Sequence, residues 1–432
     1  MAEYPQEYYT KSLKVLEAAL SSVPAYRDWQ KFDPGYDKPI DIRYAAMPCL
    51  HKAKIREYFP DGFVPAGKDV RAALERGEIS TASTSGSSDI PAVNIWNQEW
   101  WDASERASWK LNSHAFRLMT GTHPEAILAN PLNVGIVSDN TELPMEQRRL
   151  DRFLYLNEMT DPAQWSPAHM DRIIEELDLF KPVSLEANPS LLARLSRYAA
   201  ATGKKIHQPG LIVFTYEYPS RIHYRQIQRV FSSPTVSSYG STETSTVFMQ
   251  CEEGKFHHNH EFCRVDFQPF KPEFGGPSLG RLLVTTFGNP WYYMLRFDIR
   301  DLVRVDLEGS CSCGRNSGLI LSAVEGRAMS VTLTVDGRPV TLRALDDAVS
   351  SIEDIEEYRL EQVTRTDYTI YISSGRADAS GLKADVIQLL HNLYGKEAKV
   401  SVVFCRTLSP EDSGKYALAK VHFPIDINSL LA

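Results

Sequence analysis

The sequence predicts an α/β protein: a large, multi-layer N-terminal domain with mixed sheets and flanking helices, then a small α+β domain. Three observations carry this. The chain has 432 residues, more than one hydrophobic core usually organises. Between residues 166 and 240, helix-like stretches alternate with short apolar runs, as in a layered α/β domain. The final stretch, roughly a hundred residues long, changes to hairpin, strand and helix signals of its own, enough for a separate small domain. The boundary is placed to give domains of 1–326 and 327–432.

The elements follow in order. The N-terminal third reads as mostly helical, with an aromatic middle, "IWNQEWWDASERASWK". Trp100 and Trp101 cannot face the same side of a helix, so with Trp96 and Trp109 they are expected in a buried aromatic layer. "SPAHMDRIIEELDLF" opens with a Ser–Pro cap and sets Met170, Ile173, Ile174 and Leu177 on one helical stripe. "NPSLLARLSRYA" repeats the pattern with Leu191, Leu192 and Leu195. "GLIVFTYEY" is a buried strand, "YRQIQRVF" a helix, and "TVSSYGS" a strand that breaks at Gly240. After Gly276 the pattern is β: "GRLLVTTF", then "YYMLRFDIRDLVRVD". Asp336-Gly337 marks a hairpin turn. A helix, the strand "DYTIYIS", a helix with Val386, Leu389, Leu390 and Leu393 in register, and the strand "KVSVVF" complete the chain.

Composition excludes several classes. The net charge is −8, so no basic face for nucleic acid is indicated. No apolar run approaches a membrane span, and the polar start "MAEYPQEYYTKSL" has no signal-like segment. A cytoplasmic protein is expected. Six cysteines do not make a disulfide framework in so long a chain.

Several short segments could carry chemistry. "TASTSGSSDIP", residues 81–91, is rich in small residues that let backbone N–H groups converge on an anion. It lacks a lysine, and Asp89 adds negative charge, so alone it reads as a linker. "YGSTE", residues 239–243, places a glycine, hydroxyls and a carboxylate directly after a strand. Nucleotide chemistry needs an acidic Mg²⁺ ligand and nearby donors, although an ordinary polar turn has the same composition. "RFDIRDLVRV" holds Asp301 between cations, "EGR" (325–327) sits at the boundary, and "SGK" (413–415) lies in a late loop. "CEEGKFHHNHEFC" and "CSCGR" together offer thiolates and imidazoles for a tetrahedral S₃N metal site; surface histidines and small buried cysteines are the plainer alternative.

The order of these segments resembles the adenylate-forming superfamily, and within it the phenylacetate–CoA ligase branch. "STSGSSDIP", "YGSTE", "RFDIRDL", "EGR" and "GK" occur in that family's order, spanning Ser83 to Lys415, with "CSCGR" before "EGR" as a branch-like detail. The resemblance implies ATP- and Mg²⁺-dependent activation of a carboxylic acid, an aromatic one on the branch's precedent, as its acyl-adenylate. Transfer to CoA would follow. It implies a phosphate loop at Ser85, Gly86, Ser87 and Ser88, and nucleotide contacts from Tyr239, Gly240, Ser241 and Thr242. Tyr239 would stack on adenine and Thr242 would bond the α-phosphate. Glu243 would hold Mg²⁺, Asp301 the ribose, and Arg327 the hinge beside the nucleotide. Lys415 would reach the bridging oxygens when the small domain closes. Tyr216, Glu217 and Tyr239 are candidates for the substrate side. Matching the family's segment selects His257 over His258 and His260, giving a structural zinc on Cys251, His257, Cys311 and Cys313.

The chain departs from the family where Asp89 and Ile90 replace Gly and Lys, and where "GRAMSV" lacks the usual acidic pair. Two alternatives therefore stand beside the ligase: an amide- or ester-forming adenylating enzyme, and a catalytically degenerate binding protein on the same fold. The implied partners are a small carboxylate, ATP and CoA, with no nucleic acid or membrane, and a homodimer is the assembly considered.

Overall fold

The computed structural model describes residues 3–83, 92–118, 121–135, 143–376 and 379–432. The chain divides into two compact units, each assembled from separate stretches of sequence. One comprises Met1–Met119, Ser238–Ala323 and Leu431–Ala432; the other comprises Thr120–Ser237 and Val324–Leu430.

The first unit is a helical N-terminal region on an antiparallel sheet. Helix Gln6–Ser22 buries Tyr8, Val15, Leu16, Ala19 and Leu20 along one face, the 3.6-residue repeat of an amphipathic helix. Strands Cys263–Pro269, Leu279–Thr286 and Phe297–Val305 lie side by side, with pairs such as Phe267 opposite Leu282. Phe256–His258 pairs with Ser245–Gln250 on one side and with Leu321 and Ile320 on the other. Leu279–Thr286 is buried at every position, as expected for a strand covered on both faces. Helix Gln98–Trp109 is capped by Asn97, whose side chain accepts from Trp100 N, and it packs on this sheet.

The expected aromatic layer is only half realised. Trp100 and Trp109 are buried, and Trp100 Nε1 donates to Phe287 O at 2.7 Å. Trp96 and Trp101 are only partly covered and pack on one another with tilted rings, their centres 4.1 Å apart and their planes 31° from parallel. The helix turns its two adjacent tryptophans in different directions, about 100° apart, as its 3.6-residue repeat requires.

The second unit contains a mostly parallel sheet in which Thr235, Val236 and Ser237 pair with Leu211–Phe214, followed in order by Ser184–Ala187, Glu125–Leu128, Phe153–Tyr155 and Arg149–Leu150. Pairing is parallel throughout except for the last, antiparallel edge. Leu211–Phe214 is buried along its length, which explains why its sequence is a continuous apolar run. Helices Pro167–Phe180 and Pro189–Thr202 pack on it through Ile173, Leu177, Leu191, Leu192 and Leu195. Ser166 caps the first by accepting from His169 N, with Pro167 at the first helical position.

A four-stranded sheet in the same unit has the order Lys399–Phe404, Asp367–Ser374, Ile355–Gln362, Ala419–Val421. Helices Leu342–Val349 and Ala379–Tyr394 supply Leu345, Val349, Leu382, Val386 and Leu390 to its core. The expected hairpin at Asp336-Gly337 is present, with Gly337 at φ +89° and Thr332 opposite Val340. Ile222 of helix Arg221–Gln228 is part of that core, so the helix and the C-terminal sheet share one apolar cluster.

Candidate functional site

In the first unit, the segment "YGSTE" ends one strand and turns into the next. The strand continues through Gly240 to Ser241, further than expected, with a register shift at Tyr239/Gly240. A Cβ on Gly240 would lie 2.0 Å from Ser245 O, so no other residue fits this close backbone approach. Thr244 N donates to Ser241 O at 3.1 Å, and Ser245 closes the turn at φ +57°. The turn thereby holds Thr242 and Glu243 at its tip. Tyr239 is buried, its ring centre 6.1 Å from that of Phe248.

Glu243 is nearly sealed from solvent, and Lys52 Nζ lies 3.1 Å from its Oε1. Lys52 is the residue that sequence reasoning missed. It begins the helix Lys52–Tyr58 in a stretch with no recognisable motif, and only its position after an apolar proline-bounded turn distinguishes it. Its placement is fixed by the backbone. Leu50 forms a parallel bridge with Phe297, its N–H donating to Arg296 O and its carbonyl accepting from Asp298 N. The strand so gripped, Phe297–Val305, carries the buried Asp301. Arg296 and Arg300, at φ +50° and +63°, both precede Asp301 and lie in the left-handed region that side chains normally avoid.

Four residues among the described ones concentrate this backbone strain at or beside the motif segments: Tyr216, Ser245, Arg296 and Arg300. The phosphate-loop residues Ser85, Gly86, Ser87 and Ser88, with Asp89 and Ile90, lie outside the described residues. The antiparallel strands Ser80–Ser83 and Val93–Trp96, which pair Ser83 with Val93, bracket them.

Tyr216, Glu217, Arg327 and Lys415 belong to the second unit. Tyr216, at φ +71°, follows the strand Leu211–Phe214 and donates its hydroxyl to Glu186. Burial, and then the charge of Glu125, push Glu186 up to about 7, against the bond from Tyr216 and the charge of Arg152. Glu217 accepts from Ser190 N at 2.8 Å and from Ser190 Oγ through one oxygen, and from Tyr416 N at 3.2 Å through the other. Burial raises its pKa against these bonds. Arg327 ends the strand Ile320–Arg327. Gly414, at φ +75°, packs so closely that a Cβ would meet Asn130 Cγ at 2.4 Å, and this contact sets the backbone just before Lys415.

A second cluster is sharply defined. The ligand atoms of Cys251, His257, Cys311 and Cys313 all lie within 4.8 Å of one another. Tetrahedral zinc with its usual bond lengths separates two sulfurs by about 3.8 Å and a sulfur from a nitrogen by about 3.5 Å. Here Cys251 Sγ and Cys311 Sγ are 3.8 Å apart, and Cys313 Sγ and His257 Nε2 are 3.3 Å apart. The donor set therefore fits zinc. His258 and His260 are not part of it: His258 bonds instead to Tyr4 and to Cys263. Around the cluster, Asn316 Oδ1 accepts from Cys311 N at 2.8 Å, and Arg315 pairs with both oxygens of Glu252 at 3.1 Å, outer contacts of the kind that hold metal ligands in place.

No protein-family description matches the sequence, and no curated protein is significantly similar to it. Solved structures share its architecture. 2-Hydroxyisobutyryl-CoA ligase, in the postadenylation state with 2-HIB-AMP, has a TM-score of 0.68 at 15% identity, over 94% of this chain and 88% of that one. The chain has the fold of the adenylate-forming enzymes. The same ligase in its thioesterification state with 2-HIB-AMP and CoA gives 0.56 at 15% identity, over 97% and 91%. An amide bond synthetase from Marinactinospora thermotolerans gives 0.52 at 13% identity, over 82% and 70%. Among the described residues, no helix is long and apolar enough to cross a membrane.

Proposed function

We propose that this protein activates a carboxylic acid with ATP and passes the acyl group to CoA, as an AMP-forming acid–CoA ligase. The observation that carries this is the Lys52–Glu243 pair, a sealed carboxylate with an ammonium against it at the tip of the "YGSTE" turn. Its setting, the fold of the adenylate-forming enzymes, supports the same reading. In the first step a substrate carboxylate oxygen attacks the α-phosphorus, the bond to pyrophosphate breaks, and pyrophosphate leaves with the electron pair. In the second the CoA sulfur attacks the acyl carbon and AMP leaves. Both steps depend on positioning and on stabilising phosphate charge.

The carboxylate of Glu243 already accommodates a cation and is suited to Mg²⁺, which when bound neutralises phosphate charge. Lys52 supplies positive charge in the same unit, where the phosphate loop itself offers no lysine. Asp301 is assigned to the ribose, Tyr239 and Thr242 to the nucleotide, Arg327 to the hinge and Lys415 to the bridging oxygens. Tyr216 and Tyr239 are assigned to the acid, for which an aromatic ring is the leading candidate; Glu217, the third candidate, is not, because its two oxygens are taken up by Ser190 and by Tyr416 N. Residues 327–432 act as the lid, which by closing excludes water from the adenylate. The cluster of Cys251, His257, Cys311 and Cys313 holds a structural zinc, since four protein ligands leave no open position for substrate.

An acid library screened by pyrophosphate exchange, with and without CoA and hydroxylamine, tests this reading. Acid-dependent exchange with CoA-dependent AMP release supports the ligase. Exchange with hydroxamate formation but no response to CoA favours an amide- or ester-forming enzyme, the chemistry of the amide bond synthetase that shares the fold. No exchange with any acid leaves a binding protein.

A further inference from the structure

We infer that Glu217 and Arg194 are positioning residues that hold the Lys415 loop in its adenylating placement; the inference rests on the proposed assignment of Lys415. The loop is fixed on both sides of the lysine by side chains far away in sequence. On its C-terminal side, Glu217 accepts from Tyr416 N at 3.2 Å, while its other oxygen is taken up by Ser190 N and Oγ. On its N-terminal side, Asn133 Nδ2 donates to Ser413 O at 3.1 Å.

Arg194, on the helix Pro189–Thr202, closes the grip. Its Nη2 reaches Tyr416 Oη at 3.0 Å, Thr407 Oγ1 at 2.6 Å, Leu408 O at 3.2 Å and Glu357 Oε1 at 3.0 Å, while its Nη1 donates to Pro162 O at 2.6 Å. The Tyr416 hydroxyl in turn donates to Leu408 O at 3.0 Å, and its ring packs against the apolar core of the parallel sheet. Arg194 and Glu357 are each only about a tenth exposed, at 11% and 12%, so these charge-assisted bonds are shielded from solvent.

The arrangement fixes the backbone at residues 413 and 416, on either side of the lysine. A catalytic group needs its carrier held to within about 0.5 Å, and these bonds supply that restraint. They also make it reversible. The bonds of Asn133 to Ser413 O, of Arg194 to Thr407, Leu408 and Tyr416, and of Tyr416 N to Glu217 all join residues 120–237 to the 407–416 segment, so they break together if that segment withdraws, whereas those to Pro162, Ser190 and Glu357 do not depend on it. The grip therefore favours the adenylating placement over the thioester-forming one.

The test uses the full-length protein and the variants Glu217→Gln and Tyr416→Phe. In Glu217→Gln an amide N–H₂ must face a backbone or hydroxyl donor, and the loss of one bond to a buried carboxylate is worth about tenfold to a hundredfold in population. Adenylation, read by pyrophosphate exchange, should fall by that factor, while thioester formation from supplied acyl-adenylate should stay within about twofold. Amide exchange at residues 413–417 should accelerate in both variants, with Asp367–Ser374 unchanged. Tyr416→Phe, which removes only the hydroxyl in Arg194's reach, keeps the question open to decision if Glu217→Gln does not fold. Unchanged exchange at 413–417, or equal losses in both half-reactions, overturns the inference. A wild-type protein inactive in pyrophosphate exchange would instead count against the ligase reading, and the amide-exchange result would still decide whether the grip exists.

Discussion

Lys52 and Glu243, far apart along the chain, form an ion pair of 3.1 Å whose carboxylate side chain is 1% exposed and whose ammonium side chain is 13% exposed. Two opposite charges so shielded are tightly interdependent, and removing either one strands the other.

Lys52→Met should accordingly lower stability by about 3 kcal/mol, the usual cost of leaving one partner of a buried pair. If Glu243 binds Mg²⁺, millimolar MgCl₂ should restore more of the melting temperature in this variant than in the parent, because binding to the folded state alone stabilises it. Melting curves with and without Mg²⁺ check both points. An identical Mg²⁺ response in the two proteins would remove Glu243 from the metal site.

Cys311→Ser should abolish zinc retention. Protein purified without chelator should carry close to one zinc per chain, and the variant close to none, with a lower melting temperature because metal binding contributes directly to folding. Elemental analysis of both gives the answer, and a metal-free parent with intact thiols would dismiss the site.

Glu186→Gln should stabilise the protein increasingly as pH rises. The folded-state pKa of Glu186 is raised to about 7 from its ordinary value of 4.5, first by burial and then by Glu125. Between those two values the folded protein holds a proton that the unfolded chain has lost. Stability from this group is therefore complete below pH 4.5 and is lost as pH rises through about 7. Glutamine stays neutral throughout, so the melting temperature of the variant relative to the parent should be several degrees higher at about pH 8 than at about pH 5. A difference independent of pH would show that Glu186 titrates normally.

Gly414→Ala should disable the Lys415 loop without unfolding the chain. The new Cβ would meet Asn130 Cγ at 2.4 Å, on a residue at φ +75°. The left-handed backbone alone costs a side chain on the order of 1–2 kcal/mol, even before the clash. Adenylation should drop by about tenfold or more, since a misplaced catalytic group loses at least that much. Urea denaturation detected by tryptophan fluorescence should shift only slightly.

Much of this architecture was legible in the sequence because it rests on local signals. The buried run of Leu211–Phe214, the Ser–Pro cap of Pro167–Phe180 and the Asp336-Gly337 turn each carry their structure within a few residues. The thiols and imidazoles of the two Cys-bearing segments were visible as candidates, the resemblance to the family singled out His257, and the structure brings Cys251, His257, Cys311 and Cys313 together. Lys52 was not legible. Its significance comes from the bridge between Leu50 and Phe297, a contact across much of the chain that leaves no periodic or compositional trace. The grip of Arg194 and Glu217 on the Lys415 loop was hidden for the same reason. Each residue looks like an ordinary charged position on a helix or loop until tertiary packing pairs it with a backbone group some two hundred residues away.

The cysteine cluster has a consequence for how the protein is made. Cys251 precedes Cys311 by 60 residues, and chains are synthesised at about 5–20 residues per second. On the ribosome, Cys251 and His257 therefore wait roughly 3–12 seconds before the Cys-x-Cys pair that completes their site has been translated. With zinc at this site, as proposed, capture would be a late event in biosynthesis, and during that interval the half-built site would be open to oxidants and to competing metals. Zinc supplied to a cell-free translation only after residue 313 has been made should yield as much loaded protein as zinc present from the start, whereas an oxidant pulse confined to the earlier interval should lower the yield.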